Sequence, residues 1–142
     1  MSDTHKGRCF CGEVEFDLTG ISTVMGYCHC EDCTTWAAAP IHAFSLWLPD
    51  SVRITKGEAS IGTFNKTEAS YRKFCKVCGG HLMTDHPDIG LVDVCANVVP
   101  SLTHTPSVHV YYAKKTISIK DGLPKFKDMP EAFGGSGETL PE

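Results

Sequence analysis

The sequence predicts a small, mostly β protein built from antiparallel sheets, and three observations lead to this fold class. Apolar and polar residues alternate in many short stretches, as they do in half-buried strands. Turn signals such as Lys56-Gly57 and Asn65-Lys66 separate these stretches, whereas helical periodicity is scarce. The chain has 142 residues, 42% of them apolar and 21% charged, which is an ordinary balance for one globular domain.

The predicted strands follow one another closely along the chain. In residues 13–18 and 42–48 every second side chain is apolar, so that one face of each strand is expected to be buried. Shorter candidates lie at residues 52–54, 61–64, 70–74, 81–84, 91–96, 107–112 and 117–119. Residues 31–39 predict at most a turn or two of helix before Pro40 stops it.

Charge and hydropathy exclude several classes of protein. Thirteen Lys and Arg against seventeen Asp and Glu give a net charge of −4, whereas a dedicated nucleic-acid binder usually carries a basic face. The first residues lack the apolar core of a signal peptide, and no apolar run approaches the ~20 residues that cross a bilayer. We therefore expect a soluble, cytoplasmic protein with neither a nucleic acid nor a membrane as its partner.

The eight cysteines are the unusual feature of the composition. Seven of them form three tight groups, and only Cys95 stands alone. The groups are Cys9-Phe-Cys11, Cys28-His-Cys30-Glu-Asp-Cys33 and Cys75-Lys-Val-Cys78. In a reducing compartment thiols persist, and disulfide frameworks tend to spread their cysteines, so this clustering favours metal binding.

Two of the groups share one design. In each, a pair of thiols is followed by a glycine, Gly12 or Gly79, which can adopt a positive φ and turn the backbone tightly around a metal. Closed structural zinc sites need four such ligands, so we pair the two groups into one site. Its predicted ligands are Cys9, Cys11, Cys75 and Cys78. The alternative, a redox-active pair at Cys75 and Cys78, lacks the βαβ setting that such a motif requires.

The middle group supplies three thiols from one short loop: Cys28, Cys30 and Cys33. Three protein ligands leave a fourth position open for water or substrate, which is how catalytic zinc is built. A closed site with His29, His42 or Cys95 as fourth ligand, or a set of metal-free thiols, are the alternatives.

The ligand type indicates the chemistry of an open site. Three thiolates donate electron density to zinc and make it a weak Lewis acid, which disfavours peptide or phosphate hydrolysis. Metal coordination still lowers the pKa of an incoming thiol, and the resulting thiolate can attack an electrophilic carbon. The middle group therefore predicts thiol-dependent chemistry, with Cys28, Cys30 and Cys33 as the catalytic residues.

Three segments carry a resemblance to a known family: Arg8-Cys-Phe-Cys-Gly-Glu-Val14, Tyr27-Cys-His-Cys-Glu-Asp-Cys33 and Phe74-Cys-Lys-Val-Cys-Gly79. They resemble the signature motifs of the glutathione-dependent formaldehyde-activating enzyme family, which also includes centromere protein V. Residues 108–126 and Pro130 are similar to the C-terminal end of that family. The resemblance covers residues 6–130, which we predict to be the domain, and residues 131–142 then form a flexible or loosely docked tail.

The resemblance implies an Mss4-like fold and carbon–sulfur lyase chemistry, in which glutathione adds to formaldehyde. It also implies two zinc ions per chain, a structural one at Cys9, Cys11, Cys75 and Cys78 and a catalytic one at Cys28, Cys30 and Cys33. The expected partners are glutathione or another small thiol and a small electrophile such as formaldehyde. A non-catalytic, zinc-stapled binding module is the main alternative, and a metal-buffering or redox-sensing protein is a second.

Other residues are weaker candidates. Cations flank the cysteine groups and are available to hold the carboxylates of glutathione, although for each of them a solvated surface charge is the simpler interpretation. They are Arg8, Arg72, Lys73 and Lys76. We expect His29 to point away from the metal, Cys95 to pack as a small buried side chain, and Trp36 or Phe44 to line either a pocket or the core. His42 and His81 are the least supported.

Overall fold

The structure, a computed structural model, describes residues 3–142. In this range it contains ten strands and one α-helix, which confirms the predicted mostly β class. The strands are β1 (Thr4–Arg8), β2 (Glu15–Thr19), β3 (Val24–Cys28), β4 (His42–Trp47), β5 (Val52–Lys56), β6 (Ile61–Thr67), β7 (Ser70–Cys75), β8 (His81–His86), β9 (Leu91–Val94) and β10 (His109–Val110). Helix α1 spans Glu31–Ala37. No helix in this part of the chain is both long enough and apolar enough to span a membrane.

The chain divides into two compact units, each made from separate segments. The first unit comprises the residues up to Thr23 together with Ser45–His104. The second unit comprises Val24–Phe44 and Thr105–Glu142. The boundary falls within β4, and each of the two cysteine clusters described below lies inside a single unit.

The first unit contains two sets of antiparallel strands. Strand β2 pairs with β1 on one side and β5 on the other, and the register sets Gly7 opposite Phe16. A side chain at Gly7 would collide with the Phe16 ring, so the glycine makes room for this buried aromatic residue. Strands β6, β7, β8 and β9 form an antiparallel series, and the end of β4 joins it by pairing Leu46 with Asp93. The core of the unit includes Val14, Phe16, Leu18, Trp47, Leu82 and Val94.

The second unit is built around β3, which lies between β10 and the beginning of β4. Strand β10 runs parallel to β3, so that Val110 is paired with Cys28. The final segment of the chain is hydrogen-bonded to residues that follow β10: the Leu140 amide donates to the Lys125 carbonyl, and the Lys127 amide donates to the Glu138 carbonyl. These contacts fix the end of the chain more firmly than its Gly-rich sequence indicates.

Several predicted elements differ from the structure in detail. The helix after Cys30 is present, and it is followed by Ala38, whose φ of 52° turns the chain before Pro40. Residues 117–119 do not form a strand, and the strand predicted at 107–112 is reduced to β10 because Tyr111 adopts a φ of 54°. Strands β1 and β3 were not predicted, since β1 contains no apolar side chain to alternate with polar ones and Gly26 interrupts the apolar pattern of β3.

Candidate functional site

The four predicted structural ligands converge in the first unit. Their Sγ atoms all lie within 4.8 Å of one another; they belong to Cys9, Cys11, Cys75 and Cys78. The Cys9 and Cys11 sulfurs are 3.7 Å apart, and the Cys11 and Cys75 sulfurs are 3.8 Å apart. A tetrahedral zinc ion with Zn–S bonds of about 2.3 Å requires sulfurs about 3.8 Å apart. These two distances match that value, so the cluster is suited to a zinc ion.

Both halves of this cluster turn in the same way, as their shared motif predicts. Gly12 and Gly79 adopt φ values of +81° and +77°. The Gly12 amide donates to the Cys9 carbonyl, and the Gly79 amide donates to the Cys75 carbonyl. Amides that follow the thiols also point at sulfur: the Val14 amide lies 3.2 Å from the Cys9 Sγ and the Val77 amide 3.3 Å from the Cys75 Sγ. Such donors stabilise thiolates.

The protonation of the four thiols is uneven when no cation compensates their charge. The Gly80 amide, followed by the Cys11 amide, lowers the pKa of Cys78 to about 6. At Cys11 the Glu13 amide acts to lower the pKa. Burial and the neighbouring thiols outweigh this effect and raise the pKa of Cys11 to about 12. A bound metal ion supplies the positive charge that allows all four groups to be thiolates.

The second cluster lies in the second unit, where the Sγ atoms of Cys28, Cys30 and Cys33 are within 4.8 Å of one another. Cys28 is the last residue of β3, and Cys30 caps α1, its Sγ accepting a hydrogen bond from the Cys33 amide at 3.2 Å. Cys28 is buried, whereas Cys30 and Cys33 are half-buried. One side of the cluster is therefore accessible to a small molecule.

Without a metal ion, the three thiols of this cluster hinder one another's ionisation. Hydrogen bonds with Cys30 and Cys33, and then burial, raise the pKa of Cys28 well above its usual range. A bound cation that replaces these protons allows the three sulfurs to be thiolates at the same time. Within the second unit no fourth His, Cys, Asp or Glu donor lies within 4.8 Å of all three sulfurs.

The proposed fourth ligands lie elsewhere. The His29 ring is outside the group of converging atoms and is hydrogen-bonded to His109, in agreement with the prediction that it points away. His42 begins β4 and is also outside the group. Cys95 belongs to the first unit and is half-buried, less buried than predicted.

A buried hydrogen-bonded chain, which the sequence did not reveal, begins at His29. Its Nε2 lies 2.8 Å from His109 Nδ1, and His109 Nε2 lies 2.8 Å from an Asp121 carboxylate oxygen. Lys125 Nζ donates to the other Asp121 oxygen and, at 2.8 Å, to Glu142. His29, His109 and Lys125 are at most 1% exposed. We call this series of five residues the His29 relay.

Opposite charges stabilise the Asp121 end of the relay, whereas burial keeps its His29 end neutral. Although burial acts to raise the pKa of Asp121, hydrogen bonds from Lys125 and His109 hold it well below its usual range. Burial, and then the charge of His109, lowers the pKa of His29 to about 4. The only sequence signal for the relay was the alternation at residues 107–112, which places His109 on the face opposite Val110.

Tyr111 is another residue that the sequence did not single out. Its positive φ breaks the strand alternation, so that the next residue, Tyr112, packs against His29 with ring centroids 5.0 Å apart. Burial raises the pKa of Tyr111, and the charges of Cys28, Cys30 and, more weakly, Cys33 raise it further. The Tyr111 phenol is therefore within electrostatic range of the three-cysteine cluster.

The remaining predicted residues are distributed between the units. All four candidate cations belong to the first unit: Arg8, Arg72, Lys73 and Lys76. Arg72 is 8% exposed, and Lys73 forms an ion pair with Asp85 at 3.0 Å, so neither is a simple solvated charge. His81 is the first residue of β8 and is half-buried.

The aromatic candidates both lie in the second unit. Phe44 is buried next to Gly26, where an added Cβ would come within 2.7 Å of its ring, so it is a core residue. Trp36 is half-buried on α1, one turn after Cys33.

Comparisons with known proteins identify the fold and the family of this chain. Among solved structures, the crystal structure of a Rhodobacter sphaeroides protein, a structural genomics target, is similar in fold, with a TM-score of 0.58 and 16% identity. The match covers 69% of this chain and 90% of that chain. A search of curated proteins gives no significant match. The family model described as glutathione-dependent formaldehyde-activating enzyme matches residues 4–123, a range that includes both cysteine clusters, and the chain therefore belongs to that family.

Proposed function

We propose that the protein is a zinc-dependent carbon–sulfur lyase that activates glutathione, or a similar small thiol, for addition to formaldehyde or another small electrophile. The observation that carries this proposal is the convergence of Cys28, Cys30 and Cys33 with no fourth His, Cys, Asp or Glu donor in their unit. Membership of the family supports the same reaction.

The residues of the second unit have distinct roles in this proposal. Cys28, Cys30 and Cys33 hold a zinc ion, which when bound lowers the pKa of an incoming thiol. The half-buried Cys30 and Cys33 leave room on their side for the thiol and the electrophile. The Tyr111 phenol, which is protonated near neutral pH and feels the charges of the three thiols, donates a hydrogen bond to the oxygen of the electrophile.

The reaction is a balanced addition. The thiol sulfur supplies the electron pair of a new carbon–sulfur bond, and the carbonyl π bond of formaldehyde breaks. The thiol releases its proton to solvent, and the former carbonyl oxygen takes up one proton from solvent, which gives S-hydroxymethylglutathione with no net change in protons. No oxidant or reductant is required.

The first unit contributes stability in this proposal. Its four thiols, Cys9, Cys11, Cys75 and Cys78, hold a second zinc ion and leave no position for a substrate. Two zinc ions per chain, one structural and one catalytic, are therefore expected.

Calorimetry with the zinc-loaded protein tests the proposal directly. We expect glutathione to bind with measurable heat, other small thiols to compete, and Cys33→Ser to abolish binding. Cys95→Ser is the matched control, because Cys95 lies outside both clusters. Because formaldehyde and thiols also combine without a catalyst, the product must form faster than in protein-free buffer. Absence of heat and of acceleration would contradict the proposal.

One observation favours the alternative of a non-catalytic binding module. Phe10 and Val77 are 94% and 66% exposed, and each lies between the paired cysteines of one half of the four-cysteine cluster. In a binding module these apolar side chains would contact a partner. Phe10→Ser/Val77→Ser distinguishes the two functions, since an enzyme of the proposed kind keeps its rate of thiol addition in this variant.

A further inference from the structure

The His29 relay connects the loop between two cysteines of the three-cysteine cluster to residues far along the chain. His29 lies between Cys28 and Cys30, whereas its side-chain partner His109 is 80 positions away. His29 is also held by its backbone, because its amide donates to the Val110 carbonyl at 3.0 Å. The residue that joins two predicted metal ligands is thus fixed at both its main chain and its side chain.

When both histidines are neutral, the relay specifies which ring nitrogens carry hydrogen. The Asp121 carboxylate can only accept, so His109 Nε2 is the donor in their 2.8 Å hydrogen bond. In the neutral ring, His109 Nδ1 is then an acceptor, and the hydrogen in the 2.8 Å contact between the two histidines belongs to His29 Nε2. His29 Nδ1 is left as a buried acceptor with no hydrogen-bond partner among the described residues.

The far end of the relay is anchored by opposite charges. Lys125, which is 1% exposed, contacts Asp121 and Glu142 and donates to the Leu123 carbonyl. Glu142 in turn accepts from the Asp121 and Gly122 amides at 2.7 and 2.9 Å. These contacts hold the Asp121 carboxylate in one orientation, and through His109 they hold the His29 ring in one orientation.

We propose that His29, His109 and Asp121 are positioning residues for the three-cysteine site, which preset the Cys28–Cys30 loop for metal binding through one chain of hydrogen bonds. None of them is a metal ligand. Outer-shell partners of metal ligands usually affect metal affinity about 10–100-fold. The inference requires a metal at Cys28, Cys30 and Cys33, and it does not depend on the thiol chemistry proposed above.

Zinc affinity measured against a chromophoric chelator tests this inference. We expect Asp121→Asn to weaken the three-cysteine site about 10-fold, because an amide can both donate and accept and so no longer specifies the hydrogen on His109. The Cys28→Ser/Cys30→Ser variant reports the four-cysteine site alone and separates the two affinities. Asp17→Asn is the matched control: that carboxylate also contacts two cations, Lys6 and Arg53, but lies in the first unit, and we expect no change.

A second variant keeps the test decisive if Asp121→Asn does not fold. His109→Phe preserves a ring beside Tyr112 and removes both hydrogen bonds, and we again expect at least 10-fold weaker zinc binding at the three-cysteine site. Nitrogen NMR of the wild-type histidines should show hydrogen on His29 Nε2 and not on Nδ1. Wild-type affinity in folded variants, an equal loss at both clusters, or hydrogen on His29 Nδ1 would overturn the inference.

Discussion

The two cysteine clusters reach similar sulfur arrangements by different means. The four-cysteine cluster joins two turns from distant parts of the chain, with Cys11 and Cys75 separated by 64 positions, and its supporting donors are backbone amides. The three-cysteine cluster comes from one short stretch at the start of α1, and distant support reaches it through the side chains of the His29 relay. A metal in the first cluster therefore closes a long loop, whereas a metal in the second closes almost none.

The largest expected effect follows from this difference. Cys9→Ser/Cys75→Ser removes one buried ligand from each half of the four-cysteine cluster. Structural zinc contributes about 10–16 kcal/mol in small metal-dependent domains, which is as large as the whole stability of a typical domain of about 5–15 kcal/mol. We expect this variant to lose cooperative thermal unfolding, as followed by circular dichroism. A cooperative transition close to that of the wild type would show that the cluster is not a structural staple.

The corresponding change in the other cluster should leave the fold intact. Cys28→Ser/Cys30→Ser should lower the metal content from about two zinc ions per chain to about one, because only the three-cysteine site loses its ligands. Its thermal transition should persist, and Cys95→Ser should retain both ions. A doubly substituted chain that still holds two metal ions would eliminate the assignment of the second site.

A smaller effect concerns catalysis alone. Tyr111→Phe removes the phenol oxygen and keeps the ring, so metal content and thiol binding should not change. If Tyr111 donates to the oxygen of the electrophile, kcat should fall about 100-fold, as is usual for one donor to a developing oxyanion. A variant that lowers affinity for the thiol while kcat is preserved would place Tyr111 in thiol binding instead.

The convergence of the cysteines into two clusters could be predicted from the sequence, because metal-ligand motifs follow local rules. Thiols must be two or three residues apart to reach one ion from one turn, and the positive φ of Gly12 and Gly79 satisfies the geometry of that turn. The strict alternation of residues 13–18 was similarly informative, since β2 has only one buried face.

The His29 relay could not be predicted, because it depends on a parallel pairing between strands that are distant in sequence. Strand β10 has only two residues, and its register with β3 brings His109 beside the loop of His29. A glycine inside a strand is usually unfavourable, so Gly26 argued against β3. In the structure this position requires glycine, because a Cβ there would lie 2.5 Å from the Val108 carbonyl oxygen. Close packing, which single-sequence patterns do not report, determines both features.

Acid should also separate the two clusters. Metal binding requires thiolates, so protons compete with zinc as the pH falls. Each cluster contains a thiol with a raised pKa, Cys28 in one and Cys11, at about 12, in the other, but only the four-cysteine cluster also has a fourth ligand and a thiol, Cys78, with a pKa lowered to about 6. With one ligand fewer, the three-cysteine cluster competes less well with protons for its metal. We expect this cluster to release its metal at a higher pH than the four-cysteine cluster, in two steps seen with a zinc indicator. A single step, or release first from the four-cysteine cluster, would contradict this order.

The smallest effect tests whether the glycine turns serve the metal or only the backbone. Gly79→Ala meets no atom within 4 Å, so its cost of about 1–2 kcal/mol arises from the positive φ alone. Gly90→Ala is the matched control, because Gly90 also has a positive φ in open space but lies outside the cysteine turns. Both variants should lower the melting temperature. Only Gly79→Ala should weaken zinc binding at the four-cysteine cluster, since only that turn directs a donor amide towards Cys78 Sγ. Equal zinc affinity in the two variants would mean that the turn can relax around the metal, and the cluster would then owe its geometry to the strands that carry it.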